Sequence, residues 1–203
     1  MDNARCFAIN VLGDGLFVAN HCEDALTVRE AELSMERRRG ASEEHILAVQ
    51  GNLAATYQKL RRFEETSQML RDVYSGHLRL HGEENIQTIS NANNYAVSLN
   101  GLQRFEEAKA LLRKMIPVAR RVLGESNTIT LRMRKVYAAA LYLDTGATLD
   151  DLREAVETLE EAERIARRVL GGTHPLTSSI DEALRNARKV LRARETPSPP
   201  GSA

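Results

Sequence analysis

The chain has 203 residues, and its 28 basic and 28 acidic side chains give a formal net charge of zero. Without a net charge, no long-range field draws the whole protein to nucleic acid or to an anionic membrane, so we expect neither as a partner. Cys6 and Cys22 are too few for a disulfide scaffold, and no signal-peptide pattern stands before them, which favours the cytoplasm. Aromatic residues make up only 4% of the chain, and the abundance of Ala, Leu, Glu and Arg favours helices over sheet.

Residues 1–41 form the least regular unit of the chain. They match the unit that follows only weakly and at an offset of 41 residues, whereas Gly40 and Gly82 are 42 residues apart. Gly13 and Gly15 each lower the stability of a helix by roughly 1 kcal/mol relative to alanine. We therefore expect a frayed first helix.

Residues 42–83 predict a pair of amphipathic helices. Ser42 can cap the first helix, and acidic residues follow it near the positive end of the helix dipole. Apolar residues recur at helical spacing in this helix: Ile46, Val49, Leu53, Tyr57 and Leu60. The second helix carries Phe63, Leu70, Val73, Leu78 and Leu80 and stops at Gly82. Such a pair buries too little apolar surface to be stable alone, so neighbouring pairs must stack on it.

Residues 84–125 repeat this pair at a period of 42. The motif Leu-Arg-Arg-Phe-Glu-Glu at residues 60–65 returns as Leu-Gln-Arg-Phe-Glu-Glu at residues 102–107. The predicted inward residues are Tyr95, Leu99 and Leu102 in the first helix and Leu111, Leu112, Met115, Val118 and Val122 in the second. Pro117 lies inside the second helix, where it removes a backbone donor and predicts a kink.

Residues 126–172 form a longer fourth unit, and residues 176–194 form a last helix. The hexapeptide at residues 119–124 recurs 47 residues later, which places five extra residues in the turn-rich segment 144–151. In the last helix, Arg185 stands where earlier first helices carry a small alanine, so this helix is predicted to cap the stack. The tail, residues 195–203, is rich in Pro and Ser and is expected to be disordered.

Self-similarity at this period predicts an all-α fold: a right-handed α-solenoid of helix pairs with a C-terminal capping helix over residues 1–194. The sequence resembles the tetratricopeptide repeat in its Leu53-Ala54 dipeptide, in Tyr57 three residues later, and in a second helix that opens with Phe-Glu-Glu. The 42-residue period and the Val-Leu-Gly endings at residues 122–124 and 169–171 are similar to the kinesin light chain type of this repeat. This resemblance implies a concave groove, lined by the first helix of each pair, that binds an extended peptide of a partner.

Catalysis, a bound metal and a cofactor are not expected. His77 and His81 have the i, i+4 spacing of zinc ligands, but no third ligand accompanies them, and ordinary polar roles at a helix end are the better interpretation. No Ser, Cys or His falls in a motif of nucleophilic catalysis. We therefore expect a non-catalytic scaffold or adaptor.

Six residues are candidate peptide contacts: Asn52, Lys59, Ser90, Asn94, Arg132 and Lys135. Asn52 and Asn94 are weak helix formers that recur at one phase of the repeat, and an amide can both donate to and accept from a peptide backbone. The resemblance implies the same role, because light chain repeats carry an asparagine just before Leu-Ala. The three basic residues would favour acidic residues in the partner.

Two other functions stay open at this point. The first is a helical-repeat RNA-binding protein, suggested by basic clusters at residues 37–39, 132–135 and 185–194, although stacking aromatics are scarce. The second is a structural spacer or self-associating module. The sequence does not identify the partner or the oligomeric state.

Overall fold

The protein is seen here in a computed structural model that describes the backbone of residues 2–196 and the side chains of residues 7–196. From residue 197 onward, the predicted disordered tail lies outside the described residues. Within them the chain forms only helices: α1 (Asp2–Val18), α2 (Cys22–Arg38), α3 (Glu43–Lys59), α4 (Phe63–His81), α5 (Ile86–Gly101), α6 (Phe105–Leu123), α7 (Thr128–Tyr142), α8 (Leu149–Leu170) and α9 (Pro175–Glu195). The prediction of an all-α fold is confirmed. The chain divides into two compact units, residues 1–98 and residues 99–203.

Caps and turns set the helix boundaries. Ser42 caps α3 by accepting from the backbone N–H of His45, and Thr148 and Asp151 form a reciprocal capping box at the start of α8. The turns from α1 to α2, α3 to α4 and α5 to α6 have three residues each (19–21, 60–62 and 102–104), and the middle residue of each turn has a positive φ. The turn from α7 to α8, residues 143–148, has six residues and contains no positive φ. This turn is three residues longer than the other three turns, so it contains three of the five extra residues predicted in this unit.

Consecutive helices pack together in the first unit, from α1 to α4. The predicted stripe of α3 is confirmed, because Val49, Leu53 and Tyr57 are buried with residues of α2, and Ile46 and Leu60 pack against them. Ala54 of α3 and Ala96 of α5 are buried, as expected of small residues where helices approach closely. Phe63 and Leu80 at the two ends of α4 are exposed instead.

The expectation of a frayed first helix is wrong, because α1 is one helix from Asp2 to Val18. Gly13 is buried, and a Cβ atom at this position would lie 3.2 Å from Cγ of Arg29 on α2. Asp14 accepts a hydrogen bond of 2.6 Å from the guanidinium of the same arginine. The weak helix propensity of the glycines is therefore outweighed by a close helix contact and a tertiary hydrogen bond.

In the second unit, α7, α8 and α9 pack on one another, and α6 packs on α7. Large side chains that are fully buried here include Leu112, Met115, Leu131, Met133, Leu141, Leu152, Leu159 and Ile180. The helix α6 continues through Pro117, and the kink itself stays a prediction. Arg185 of α9 is exposed and pairs with Asp181 on its own helix, in agreement with a capping face.

Two cations hold the long turn between α7 and α8. Nζ of the buried Lys109 on α6 lies 3.1 Å from Oδ2 of Asp144, and the Asp144 backbone carbonyl accepts from the N–H of Ala147. From α9, Arg194 donates to the carbonyl oxygens of Thr145, at 2.7 Å, and of Ala147. Because both faces of the turn are bonded, it is an ordered part of the second unit.

Candidate functional site

The face of α3 and α5 that the repeat pattern assigns to ligand binding is accessible in the first unit. On α3, Asn52 is half-buried and Lys59 is exposed. On α5, Ser90 is half-buried and Asn94 is exposed. These four predicted contact residues therefore lie where a partner can reach them. Their role in binding stays a prediction.

A small pocket of about 190 Å³ opens between α3 and α5. Its lining is Gly51, Ala54, Ala55 and Gln58 from α3, Leu70 from α4, and Asn94, Val97 and Ser98 from α5. The α3 residues are small except Gln58, which is why space remains beside the buried contact at Ala54. Every lining residue is uncharged, and the amides of Gln58 and Asn94 supply both donors and acceptors.

Asn52 and Asn94 differ in what their polar atoms already bind. The side-chain oxygen of Asn94 accepts only a long hydrogen bond, 3.4 Å, from the neighbouring Asn93. The backbone carbonyl of Asn52 accepts from Arg29 at 2.7 Å and from the Thr56 hydroxyl at 3.2 Å. The backbone of α3 is thus fixed at Asn52, while the Asn94 amide is oriented only weakly.

Lys59 is already engaged within the first unit. Its Nζ donates to the backbone carbonyl of Phe17 at 2.9 Å and lies 4.3 Å from the centroid of the Phe17 ring. A lysine that satisfies the last turn of α1 in this way attracts an acidic ligand less strongly than a free lysine. This contact could not be predicted from the pattern of residues, because Phe17 and Lys59 are 42 residues apart.

Arg29 is the residue of the first unit that sequence reasoning missed. It is only 3% exposed, and its guanidinium reaches Asp14 on α1 and both Asn52 and Thr56 on α3. The guanidinium also lies 4.8 Å from the centroid of the Phe17 ring. One side chain of α2 therefore joins three helices behind the predicted peptide contacts.

In the second unit, the two predicted basic contacts, Arg132 and Lys135, lie on α7. Arg132 is exposed, whereas Lys135 is half-buried and donates to the Ser179 hydroxyl of α9 at 2.8 Å. Burial and the repulsion of Arg132 lower the pKa of Lys135, against the opposing influence of Glu182. Val136, at the phase of the two asparagines, is buried, so the amide position is not repeated here.

The second unit contains a groove of about 560 Å³ that sequence reasoning missed. It lies between α7 and α9 and is lined by Tyr142, Leu143, Asn186, Lys189, Val190, Ala193 and Arg194. Burial raises the pKa of Tyr142. Val190 of α9 is half-buried at the edge of this groove.

The two histidines of α4 show no metal-site geometry. The rings of His77 and His81 are 5.6 Å apart, and Nε2 of His81 lies 3.6 Å from a carboxylate oxygen of Glu44. His77 is buried, and burial and the nearby His81 lower its pKa. Among residues 7–196, no group of three or more His, Cys, Asp or Glu side chains is arranged to hold a metal ion. None of the helices described is both long and apolar enough to cross a bilayer.

Comparison with known proteins agrees with this architecture. Residues 45–121, which include α4, α5 and most of α3 and α6, match the family model of the tetratricopeptide repeat. These residues are tetratricopeptide repeats. No curated protein matches the chain.

Solved structures extend the likeness to the tetratricopeptide fold beyond the matched repeats. Two crystal structures of nearly identical TPR-like repeats, from a Podosopora anserina protein named as a kinesin light chain, have TM-scores of 0.79 and 0.70. Their identities are 19% and 20%, each comparison covers 96% of this chain, and 90% and 98% of the other chains are covered. BtubC (BKLC) from P. vanneervenii has a TM-score of 0.61 at 16% identity, covering 100% of this chain and 88% of that one. The predicted kinesin light chain type of tetratricopeptide repeat is confirmed at the level of the fold.

Proposed function

We propose that this tetratricopeptide repeat protein is a non-catalytic interaction scaffold or adaptor that binds an extended peptide of a partner protein. Repeat folds of stacked helix pairs offer extended surfaces of this kind for partners. The observation that carries the proposal is the pocket between α3 and α5, which opens on the face that contains the predicted contacts Asn52 and Asn94.

The size of the pocket favours a side chain of a peptide over a small metabolite. Pockets for small molecules usually measure about 300–1,000 Å³. The volume here, about 190 Å³, is smaller. The lining is uncharged and partly apolar, so an uncharged side chain suits it best. The Asn94 amide at the rim then binds the backbone of the peptide that carries this side chain.

The charge preference of the proposed ligand rests mainly on Arg132. Lys59 is committed to the carbonyl of Phe17, and Lys135 is half-buried with its ammonium on Ser179. Arg132 is exposed, and its proximity to Lys135 concentrates positive charge on α7 of the second unit. We therefore keep an acidic residue in the partner as part of the proposal and assign it to Arg132.

RNA binding receives less support, because much of the predicted basic surface is neutralised within the protein. Arg39 pairs with Glu36, the buried Arg134 pairs with Glu161, and Arg188 pairs with Glu160. Phosphate binding would require those cations to leave carboxylate partners.

The test is a selection from a displayed library of short linear peptides, followed by affinity measurements on the selected peptide. Asn94→Ala and Asn52→Ala are each expected to weaken binding about five- to tenfold, or about 1 kcal/mol, with folding unchanged. Gln68→Ala, which removes an exposed amide of α4 outside the pocket lining, is the matched control and should leave the affinity unchanged. Affinity that ignores both asparagine substitutions would place the binding surface elsewhere.

A further inference from the structure

The groove between α7 and α9 of the second unit has an apolar floor, and we call it the α7–α9 groove. Leu143, directly after α7, is 50% exposed although it lines a concave surface. The half-buried Val190, the methyl group of Ala193 and the side chain of Tyr142 extend this apolar lining. Apolar surface that stays accessible inside a groove is typical of a ligand-binding site.

Two cations of α9 line the same groove. Lys189 is exposed and has no hydrogen bond or ion pair with any residue in the described part of the chain. Arg194 donates to the carbonyl oxygens of Thr145, at 2.7 Å, and of Ala147, at 3.4 Å. Because these two acceptors are neutral, they leave the charge of the guanidinium unbalanced. The α7–α9 groove therefore combines apolar surface with positive charge that attracts an anion.

The acidic residues near the groove determine where an anionic group can lie. Glu195, next to Arg194, pairs with Arg153 at 3.2 Å. Glu182 lies one helical turn before the first lining residue of α9 and interacts electrostatically with Tyr142. An anionic group is therefore repelled from the end of the groove near Glu182 and attracted to the end where the two cations lie.

The size of the groove fits a small elongated ligand. Its volume, about 560 Å³, falls within the range of about 300–1,000 Å³ that is usual for small-molecule sites. Along α9 the lining extends from Asn186 to Arg194, which is about 12 Å of helix. An extended alkyl chain of about ten carbon atoms has this length, at about 1.2 Å per bond. The turn at residues 143–148 bounds the groove at the Arg194 end, which favours a compact ligand over a peptide that continues past it.

We propose that the α7–α9 groove binds a medium-chain fatty acid, whose carboxylate binds Lys189 and Arg194 and whose alkyl chain covers Leu143, Val190 and the ring of Tyr142. A ligand of about 12 non-hydrogen atoms in a groove that is open on one side should have a dissociation constant of about 0.1–1 mM. The site is independent of the proposed peptide binding, because none of the six predicted peptide contacts lines this groove.

Calorimetric titration of the full chain with decanoate, below the concentration at which decanoate forms micelles, tests the proposal. Backbone amide NMR spectra of the same titration locate the ligand. Saturable binding is expected, with the largest shifts at residues 142–143 and 186–194. The alcohol 1-decanol has the same chain without the charge and should bind about fivefold more weakly. Acetate has the charge without the chain and should not bind measurably.

Two variants test the charged contact and the location. Lys189→Gln should weaken the binding of decanoate about fivefold and leave that of 1-decanol unchanged. Lys114→Gln, the same change at an exposed lysine of α6 outside the lining, is the matched control and should leave both affinities unchanged. Ala193→Trp places a large side chain in the groove and should abolish the binding of both ligands. Ala193 is exposed, so the fold should tolerate this substitution, and circular dichroism checks that the helices are retained.

Three results would overturn the proposal. The first is no saturable binding of decanoate, including the case in which only a selected peptide shifts the amides of the groove. The second is binding of decanoate that Ala193→Trp does not change, because the ligand then lies elsewhere. The third is an equal loss of decanoate and 1-decanol affinity in Lys189→Gln, because the lysine then does not bind the carboxylate. The peptide proposal is tested separately, through Asn52 and Asn94 of the first unit.

Discussion

Replacing Arg29 by alanine is expected to release α1 from the first unit. Its guanidinium is buried and donates to Asp14, to the carbonyl of Asn52 and to the hydroxyl of Thr56. Removing one member of a buried charged pair usually costs about 3–5 kcal/mol. Asp14 remains half-exposed to water, and Thr56 already donates to the carbonyl of Asn52, so both partners keep other interactions. We therefore expect the lower end of that range, about 3 kcal/mol.

Amide hydrogen exchange resolved by helix, together with urea unfolding followed by circular dichroism, measures this effect. In Arg29→Ala the amides of α1 should lose protection first, and the free energy of unfolding of the first unit should fall. Arg29→Lys keeps the charge but not the planar fork of donors, and should lose less. Arg71→Ala is the matched control, because Arg71 is exposed and its nearest carboxylate oxygen, on Asp72, is 3.8 Å away. If the α1 amides of Arg29→Ala are as protected as those of Arg71→Ala, the contacts of Arg29 with α1 and α3 do not stabilise α1.

Other substitutions test packing and buried ionisation. Ala54→Arg and Ala96→Arg should each destabilise the fold by about 3 kcal/mol or more, because both alanines are buried; a melting temperature equal to that of the parent would contradict the helix register. Burial raises the pKa of the Glu32 carboxyl, so its ionisation in the folded state destabilises the protein as pH rises above about 4.5. Glu32→Gln should therefore raise the urea midpoint at pH 7.5 more than at pH 4, and an equal increase in the midpoint at both pH values would refute this. Burial lowers the pKa of His77, so the unfolded chain takes up the proton at a higher pH than the folded protein, and stability falls as pH drops through about 6.5. In His77→Leu the difference between the urea midpoints at pH 7.5 and pH 5.5 should shrink. An unchanged difference would assign the pH dependence to other groups.

The sequence predicts most of the helices because their apolar spacing and their period act locally. Leu53 and Ala54 fall in the core as expected, since a 3.6-residue periodicity and a small residue at a close contact both follow from one helix and its neighbour. The state of α1 was predicted wrongly, because the propensity of Gly13 contains no information about Arg29, which lies 16 residues away and covers it.

For the candidate site, the sequence predicts only which side of each first helix is accessible. Asn94 appears on the pocket rim because the repeat determines which side of a first helix is accessible. Whether a charged residue on that side is available to a ligand depends on its tertiary partners. Lys59 donates to the carbonyl of Phe17, and Lys135 donates to the hydroxyl of Ser179. Neither partner could be predicted from the residues around these lysines. The groove beside Tyr142 was missed for the same reason, since the gap between two helices has no sequence periodicity of its own.

The turns within the helix pairs differ in length and in backbone strain, and the longer turn is the less strained. The three short turns each place a residue other than glycine in the left-handed region (Asn20, Arg61 and Gln103), a conformation that costs an L-residue roughly 1–2 kcal/mol, with less for asparagine. The turn between α7 and α8 is twice as long and needs no such residue. Doubling the length of a loop adds only about 0.6 kcal/mol to the entropic cost of closing it. The longer turn therefore reverses the chain at a lower free energy than a short turn with a left-handed residue. The irregularity that interrupts the 42-residue period is thus a locally relaxed connection, and the regular turns are the strained ones.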